Sequence, residues 1–337
     1  MKNHSKISYA KYGYYFVLPF FIAWLIFSLY PTLYTAIIGF TDLKGVNAKG
    51  WHFLTAKDGG IFNNYKIILT NPTFLTAFKN TFKIWICNFI PQIGLALFLA
   101  AIFTNTRMKI PCVGLFKVLF YMPNIITAST VAILFAALFG YPMGPVNDLL
   151  QTLKIIDEPV NFLVKKTVAR NIVIFIQTWM WYGYTMINMI SGIIGISPDI
   201  FEAADIDGAN GWQVFWKITV PSIKTILLFT LVTSLIGGLT MFDIPQLFIN
   251  NGGPDNATIT TSVFIYGQAF KGSYMYNRAS AASMIMFIII VILSACMFFV
   301  LRDKDEAMLK KQNRQRIKEY NKAQKALAKE AAAKEAK

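Results

Sequence analysis

Residues 197–221 read SPDIFEAADIDGANGWQVFWKITVP, a long polar interruption between two strongly apolar stretches. Ser197 suits a helix N-cap, accepting a bond from an orphan N–H, and Pro198 suits the first helical position. Asp199 and Glu202 put negative charge against the positive end of the helix dipole. Gly208 supplies a residue that takes φ > 0 where the helix must stop, and Asn210-Gly211 offers a second turn before Trp212 opens another amphipathic run. The stretch predicts helix, sharp turn, helix, with Pro221 opening the next element.

What flanks this stretch is lipid-soluble. Of 337 residues, 55% are hydrophobic and only 15% charged, and the mean hydropathy is +0.48, values far from those of an ordinary soluble domain. The formal net charge of +15 comes from Lys and Arg clustered in the tails and short loops. That is the positive-inside pattern of a membrane protein, and it argues against a nucleic-acid surface. Cys87, Cys112 and Cys296 lie far apart, in or beside apolar runs, and read as small core hydrophobes. With His4 and His52 the only histidines, no Cys/His spacing fits a metal site. The apolar run after the basic N-terminus is too long for a signal-peptide core, so the first span is expected to be retained.

A helix needs about 20 apolar residues to cross the hydrocarbon, and six stretches meet that length: 14–40, 82–103, 118–139, 171–194, 223–248 and 279–301. The expected fold is all-α and polytopic, with a transmembrane domain over 14–301. Pro19 and Pro31 are expected to kink the first span. Residues 1–13, with Lys2, Lys6 and Lys11, form a cytoplasmic tail; 41–80 forms a polar external connection; Arg107 and Lys109 mark a cytoplasmic turn. Residues 140–170 are external and include a short helix near 148–153. Residues 302–337 form a basic cytoplasmic tail, suited to an anionic lipid surface, whose last part resembles the helical spacers placed between fused domains.

Polar residues inside the spans are the candidates for function. Asn88 and Gln92, with Pro91 between, are expected to serve helix packing. In the fourth span Gln177, Trp181, Tyr184 and Asn188 recur at spacings of three and four and share one helix face. Amides and phenols pair with hydroxyls, and aromatic rings stack on pyranose C–H faces, so this face suits a sugar; a packing seam against a neighbouring helix would carry the same residues. Gly237-Gly238 weakens the fifth span or admits a close neighbour, and Asp243 is a lone ionisable group near its end. No G-x4-G-K-[ST] phosphate loop and no catalytic constellation occurs, so the chain is expected to be neither an ATPase nor another enzyme.

Glu202-Ala203-Ala204, three residues, Gly208, nine residues, then Ile218-Thr219-Val220-Pro221 resembles the cytoplasmic signature loop of the membrane subunits of ATP-binding-cassette importers, with Val220 standing where Leu is usual. Phe242-Asp243 followed by Asn251-Gly252-Gly253-Pro254 looks like the first of the two permeases of maltose and multiple-sugar importers. Phe62-Asn63-Asn64-Tyr65 and Tyr121-Met122-Pro123-Asn124 are similar to segments of the same permeases. The resemblance implies a type I importer permease fold in a bacterial cytoplasmic membrane, with both termini cytoplasmic. It implies that Glu202, Ala203, Ala204, Asp207, Gly208 and Pro221 couple the chain to a separate ATPase subunit, which binds ATP and Mg; no cofactor is expected here. Small side chains at Ala203 and Ala204 would let that partner approach closely. A second, similar permease, an extracellular solute-binding protein and an oligosaccharide substrate complete the expected assembly, with Asn124, Gln177, Trp181, Tyr184 and Gly238 contributing to the sugar site. Two alternatives stay open: the same architecture carrying another solute, such as glycerol phosphate, a polyamine or an oxyanion, or a secondary transporter driven by an ion gradient.

Overall fold

A computed structural model of the chain describes residues 10–46, 50–105, 108, 110–249, 252–272, 274–301 and 312–324. Lys2, Lys6, Arg107, Lys109, Asn251 and tail residues 302–311 and 325–337, together with the side chain of Lys11, lie outside the described residues. The described chain is helical apart from turns, loops and one isolated antiparallel bridge between Thr41 and Phe53.

The first span comprises α1 (Ala10–Trp24), a π-helical turn (Leu25–Leu29) and α2 (Tyr30–Ile38). Pro19 is accommodated inside α1. Pro31 brings no N–H to the ladder, and the bonds just before it lengthen their register, Tyr30 N–H donating to the Leu25 carbonyl. None of this span's most apolar stretch is buried against the rest of the chain, so its surface is left to lipid or to another subunit.

The 41–80 connection is shorter than expected because helix begins earlier. Here α3 (Asn63–Thr70) precedes α4 (Pro72–Thr104), a helix of 33 residues. Asn71 Oδ1 accepts the Thr73 and Phe74 N–H groups at 2.9 and 3.1 Å, capping α4 a full ten residues before its apolar run begins. In the loop before α3, two hydrogen bonds from Thr55 hold the Asp58 carboxyl below the ordinary carboxylate range.

The third span is broken close to the Tyr121-Met122-Pro123-Asn124 segment. It is two helices, α5 (Val113–Ile125) and α6 (Ala128–Leu138), bent by 91°. Thr127 takes an extended conformation and its Oγ1 caps α6 by accepting from Thr130 N–H at 3.3 Å, so a new helix starts just after Pro123 and Asn124. After α7 (Pro145–Thr152), α8 (Lys166–Ile194) runs for 29 residues. There follow α9 (Pro198–Ile206), α10 (Gly211–Val214), α11 (Val220–Ser222), α12 (Lys224–Leu239), α13 (Asp243–Leu247), α14 (Thr261–Phe270) and α15 (Tyr276–Leu301).

Tyr12–Ile38, Pro72–Thr104, Lys224–Leu247 and Tyr276–Val300 are long and apolar enough to cross a membrane, and the bent α5–α6 pair makes a fifth crossing. The helix α8, 29 residues long, has the length to span but is diluted by its polar face and falls short in apolarity. The fold is thus that of an all-α polytopic membrane protein, with five apolar crossings among the described residues.

The chain divides into two compact units. One draws on Met1–Gln92, Met122–Trp181 and Leu235–Ile292; its core gathers Ile68, Phe74, Ala77, Phe264, Ala281 and Ala282. Amides stitch this unit together. Buried Asn64 donates to the carbonyls of Gly39 and Thr41 at 3.0 and 2.8 Å and accepts from Asn277 at 3.2 Å. Asn80 donates to the Asn256 carbonyl at 2.7 Å, and Thr81 Oγ1 accepts the Thr261 N–H at 2.9 Å. The other unit draws on Ile93–Tyr121, Tyr182–Ser234 and Leu293–Lys337. There Gly183 lies so close to the Phe120 carbonyl that no side chain fits, and Gly192 packs on Ile223 and Ile226.

Contrary to expectation, all three cysteines are exposed rather than packed in a core. A crossing helix meets lipid on its outer side, so a small apolar side chain such as Cys87 or Cys296 needs no protein partner there.

Replacing Asn64 by Leu strands two buried carbonyls. The expected loss is about 2–4 kcal/mol of stability, checked by thermal unfolding of the detergent-solubilised protein; an unchanged midpoint would mean that these bonds do not hold the unit.

Candidate functional site

Two regions carry the residues singled out from the sequence. The first is 197–221. Pro198 occupies the first turn of α9 and Asp199 joins it there, as the dipole argument requires. Ser197 does not cap by accepting; its hydroxyl donates to Asp199 Oδ2 at 3.2 Å. Gly208 has φ 72°, the left-handed value that ends a helix at low cost only for glycine, and Ala209 N–H turns back to the Ala204 carbonyl at 2.9 Å.

Asn210 and Gln213 then exchange reciprocal bonds of 2.9 Å, Asn210 Oδ1 accepting from Gln213 N–H and Gln213 Oε1 accepting from Asn210 N–H. This box starts α10. A π-helical turn at Phe215–Thr219 leads to Pro221, repeating the arrangement before Pro31. Helix, turn and helix therefore stand as expected.

Their exposure is what gives them a use. Glu202, Ala203, Asp207 and Gly208 are exposed, and Ile206 and Trp212 are 87% and 72% exposed. Ala204 is the exception. Expected on the partner-facing surface beside Ala203, it is instead buried, seating α9 against its own chain. Beside the pair lies a cleft of about 600 Å3 lined by Ala101, Thr104, Ile193, Glu202, Asp205 and Phe215.

The second region is the polar part of the spans. Gln177 is buried, as are Asn88 and Gln92 on α4. Thr178 Oγ1 donates to the Asn88 carbonyl at 3.3 Å and to the Ile174 carbonyl at 2.9 Å. Asn124 donates to the Met180 carbonyl at 3.3 Å, tying α5 to α8. Of the α8 face, Trp181 is 43% exposed, Tyr184 and Asn188 are half-buried, and Asn188 Nδ2 is enclosed without a hydrogen-bond partner among the described residues.

Gly238 is the fifth residue expected in the sugar site. A side chain there would collide with the Trp85 ring, so Gly238 admits a close neighbour, as one of the two readings required. Trp85 stacks on Phe89 at 5.7 Å, and its indole Nε1 and the nearby Asn88 Oδ1 are buried without a hydrogen-bond partner among the described residues. Sequence reasoning missed Trp85. Its only signal was indirect: the glycine pair that leaves room for it.

This architecture, apolar crossings interrupted by an exposed helix–turn–helix, is that of an integral membrane protein with a built docking element. The chain belongs to the family of binding-protein-dependent transport system inner membrane components, whose pattern matches residues 74–304. It is a non-catalytic permease subunit, an integral protein of the bacterial cytoplasmic membrane. It is 31% identical to the lactose transport system permease protein of Rhizobium radiobacter, over 90% of this chain and 100% of that one. It is 29% identical to the multiple sugar-binding transport system permease protein of Streptococcus mutans, over 86% and 94% respectively. Among solved structures, a chain of a bacterial importer of the polysaccharide alginate superposes with a TM-score of 0.70 at 22% identity, covering 87% of this chain and 95% of that one, and so shares its fold.

A Gly238→Val substitution forces the Trp85 ring aside, an overpacking cost of about 1–3 kcal/mol. Transport and thermal stability should both fall, and Trp85→Ala in the same chain should recover part of each; a double variant no better than Gly238→Val alone would deny the contact.

Proposed function

We propose that the chain forms the translocation path for an oligosaccharide and that its 197–221 element docks on a separate ATP-hydrolysing subunit. A second, similar permease would complete the path, and an extracellular binding protein would deliver the sugar. The observation that carries the reading is the exposure of Glu202, Ala203, Asp207 and Gly208 together with apolar Ile206 and Trp212 on one small, internally bonded knob. An apolar tip of this kind needs a partner to cover it. The reciprocal Asn210–Gln213 bonds and the Ala204 seat make the knob stiff enough to transmit a displacement, and Pro221 sets the direction in which the chain continues.

The sugar assignment draws support from the named relatives and from the neutral hydrogen-bonding tips on α8. Trp181 and Tyr184 offer accessible aromatic surface beside amides, a chemistry suited to hydroxylated rings. Gln177 and Asn124 would act behind them by holding α8 against its neighbours, and Gly238 by admitting Trp85. ATP-driven closure of the partner subunits would move the knobs together and shift the barrier from one side of the path to the other. Both termini would then be cytoplasmic.

Gly208→Asp tests the docking role. A side chain at Gly208 meets no atom of this chain within 4 Å, and the left-handed backbone there costs an aspartate about 1–2 kcal/mol. The variant should therefore insert and assemble at modestly lowered stability yet lose transport because the partner surface is blocked, whereas Gly208→Ala, equally strained but small, should keep most of it. Normal uptake by the aspartate variant would remove the docking role. For the sugar face, Trp181→Ala should raise the concentration needed for half-maximal uptake about fivefold, the equivalent of one aromatic contact, with ATPase stimulation unchanged at saturation; unaltered concentration dependence would place the sugar elsewhere.

A further inference from the structure

A separate recess of about 230 Å3 opens among the start of α4, α13 and α14, and Gln246 stands in its wall. Gln246 is only 8% exposed, yet no described residue hydrogen-bonds its side-chain amide. Its backbone N–H is already used, donating to the Phe242 carbonyl at 3.0 Å. Its amide is not among the fully enclosed unpartnered groups, so water in the recess can satisfy it and a ligand's hydroxyls can take that water's place.

The rest of the lining says what kind of partner fits. Asn71 has its Oδ1 committed to capping α4, which leaves its NH2 to donate. Gln268 offers a donor and an acceptor from α14, and Lys271 stands at the edge with its ammonium 5.7 Å over the Tyr266 ring. Phe264, held edge-to-face by Phe74 at 5.5 Å, supplies an apolar floor. No carboxylate lines the recess among the described residues, so cations have no counter-charge there, and one ammonium turned to the Tyr266 ring beside three amides is a poor cage for a free anion. Vicinal hydroxyls on one edge and a C–H face on the other satisfy amides and floor together. The volume lies below the roughly 300 Å3 at which drug-sized ligand pockets begin, and so suits one sugar ring.

We propose that this recess is a holding subsite for one monosaccharide unit of the transported oligosaccharide, apart from the α8 face. The assignment rests on the reading of the chain as an oligosaccharide permease. The occupant pairs with Gln246, Asn71 and Gln268 and lies across Phe264.

The test uses the assembled importer in lipid nanodiscs without its binding protein. Lactose, arabinotriose and maltotriose are the probes, and whichever the reconstituted importer carries is taken forward. Gly267→Cys, at a position lining the recess where a side chain meets nothing within 4 Å, reports occupancy by its maleimide labelling once the native cysteines are replaced by Ala. The transported sugar should slow labelling, and Gln246→Leu should abolish that protection. Gln268→Ala, at the half-exposed rim where folding is not at stake, should raise the protecting concentration about fivefold, as loss of one hydrogen bond does. Undiminished labelling in an importer that carries the sugar overturns the subsite and leaves the importer intact. So does protection that both variants retain, or protection by the second permease alone without sugar. An importer that carries none of the probes removes the sugar reading and the subsite with it.

Discussion

In hydrocarbon there is no water to satisfy a free carbonyl or N–H, so every backbone group in a crossing segment must be bonded within the protein. Two places where this chain breaks its helical ladder show how a freed group is met. Pro31 removes a donor, and the ladder answers with a π-helical turn immediately upstream; the same device recurs before Pro221, outside the spans. Thr127 closes the break between α5 and α6 with its own hydroxyl. The constraint leaves the helix as the only common currency of the fold, and it makes each interruption a position where direction can change.

Close packing follows from the same condition. Helices in lipid gain nothing from burying apolar surface against one another that acyl chains would not offer, so association depends on van der Waals fit and polar contacts. Gly183 against the Phe120 carbonyl and Gly238 against Trp85 are contacts of the first kind. Asn64, Asn80, Asn124 and Thr178, each reaching a backbone carbonyl on another segment, are of the second. Side chains of the spans that do neither face outward. The first span buries none of its most apolar stretch, which is what a helix reserved for lipid or for another subunit looks like.

The knob at 197–221 obeys different rules because it stands in water. Its shape comes from local chemistry: proline at the start, glycine in the left-handed region, the Asn210–Gln213 box. Such features depend on residues within a few positions of one another, and this is why the helix, turn and helix were all legible beforehand. The capping by Ser197 was not, since its hydroxyl had a competing acceptor in Asp199 two residues away.

What the sequence determined by itself is the membrane class, the six apolar stretches and the knob with its signature spacing, because composition, periodicity and turn chemistry act over short distances. Only the tertiary structure decided that the third span is bent by 91°, that α4 starts at Pro72, that Ala204 faces inward, and that Gln177 is buried while Trp181 is 43% exposed on the same helix face. It alone brought Trp85 to Gly238 and set Gln246 in the wall of its recess. Which side of a helix meets protein and which meets lipid depends on neighbours far away in the chain, and in lipid both sides are equally apolar, so no local pattern records the difference.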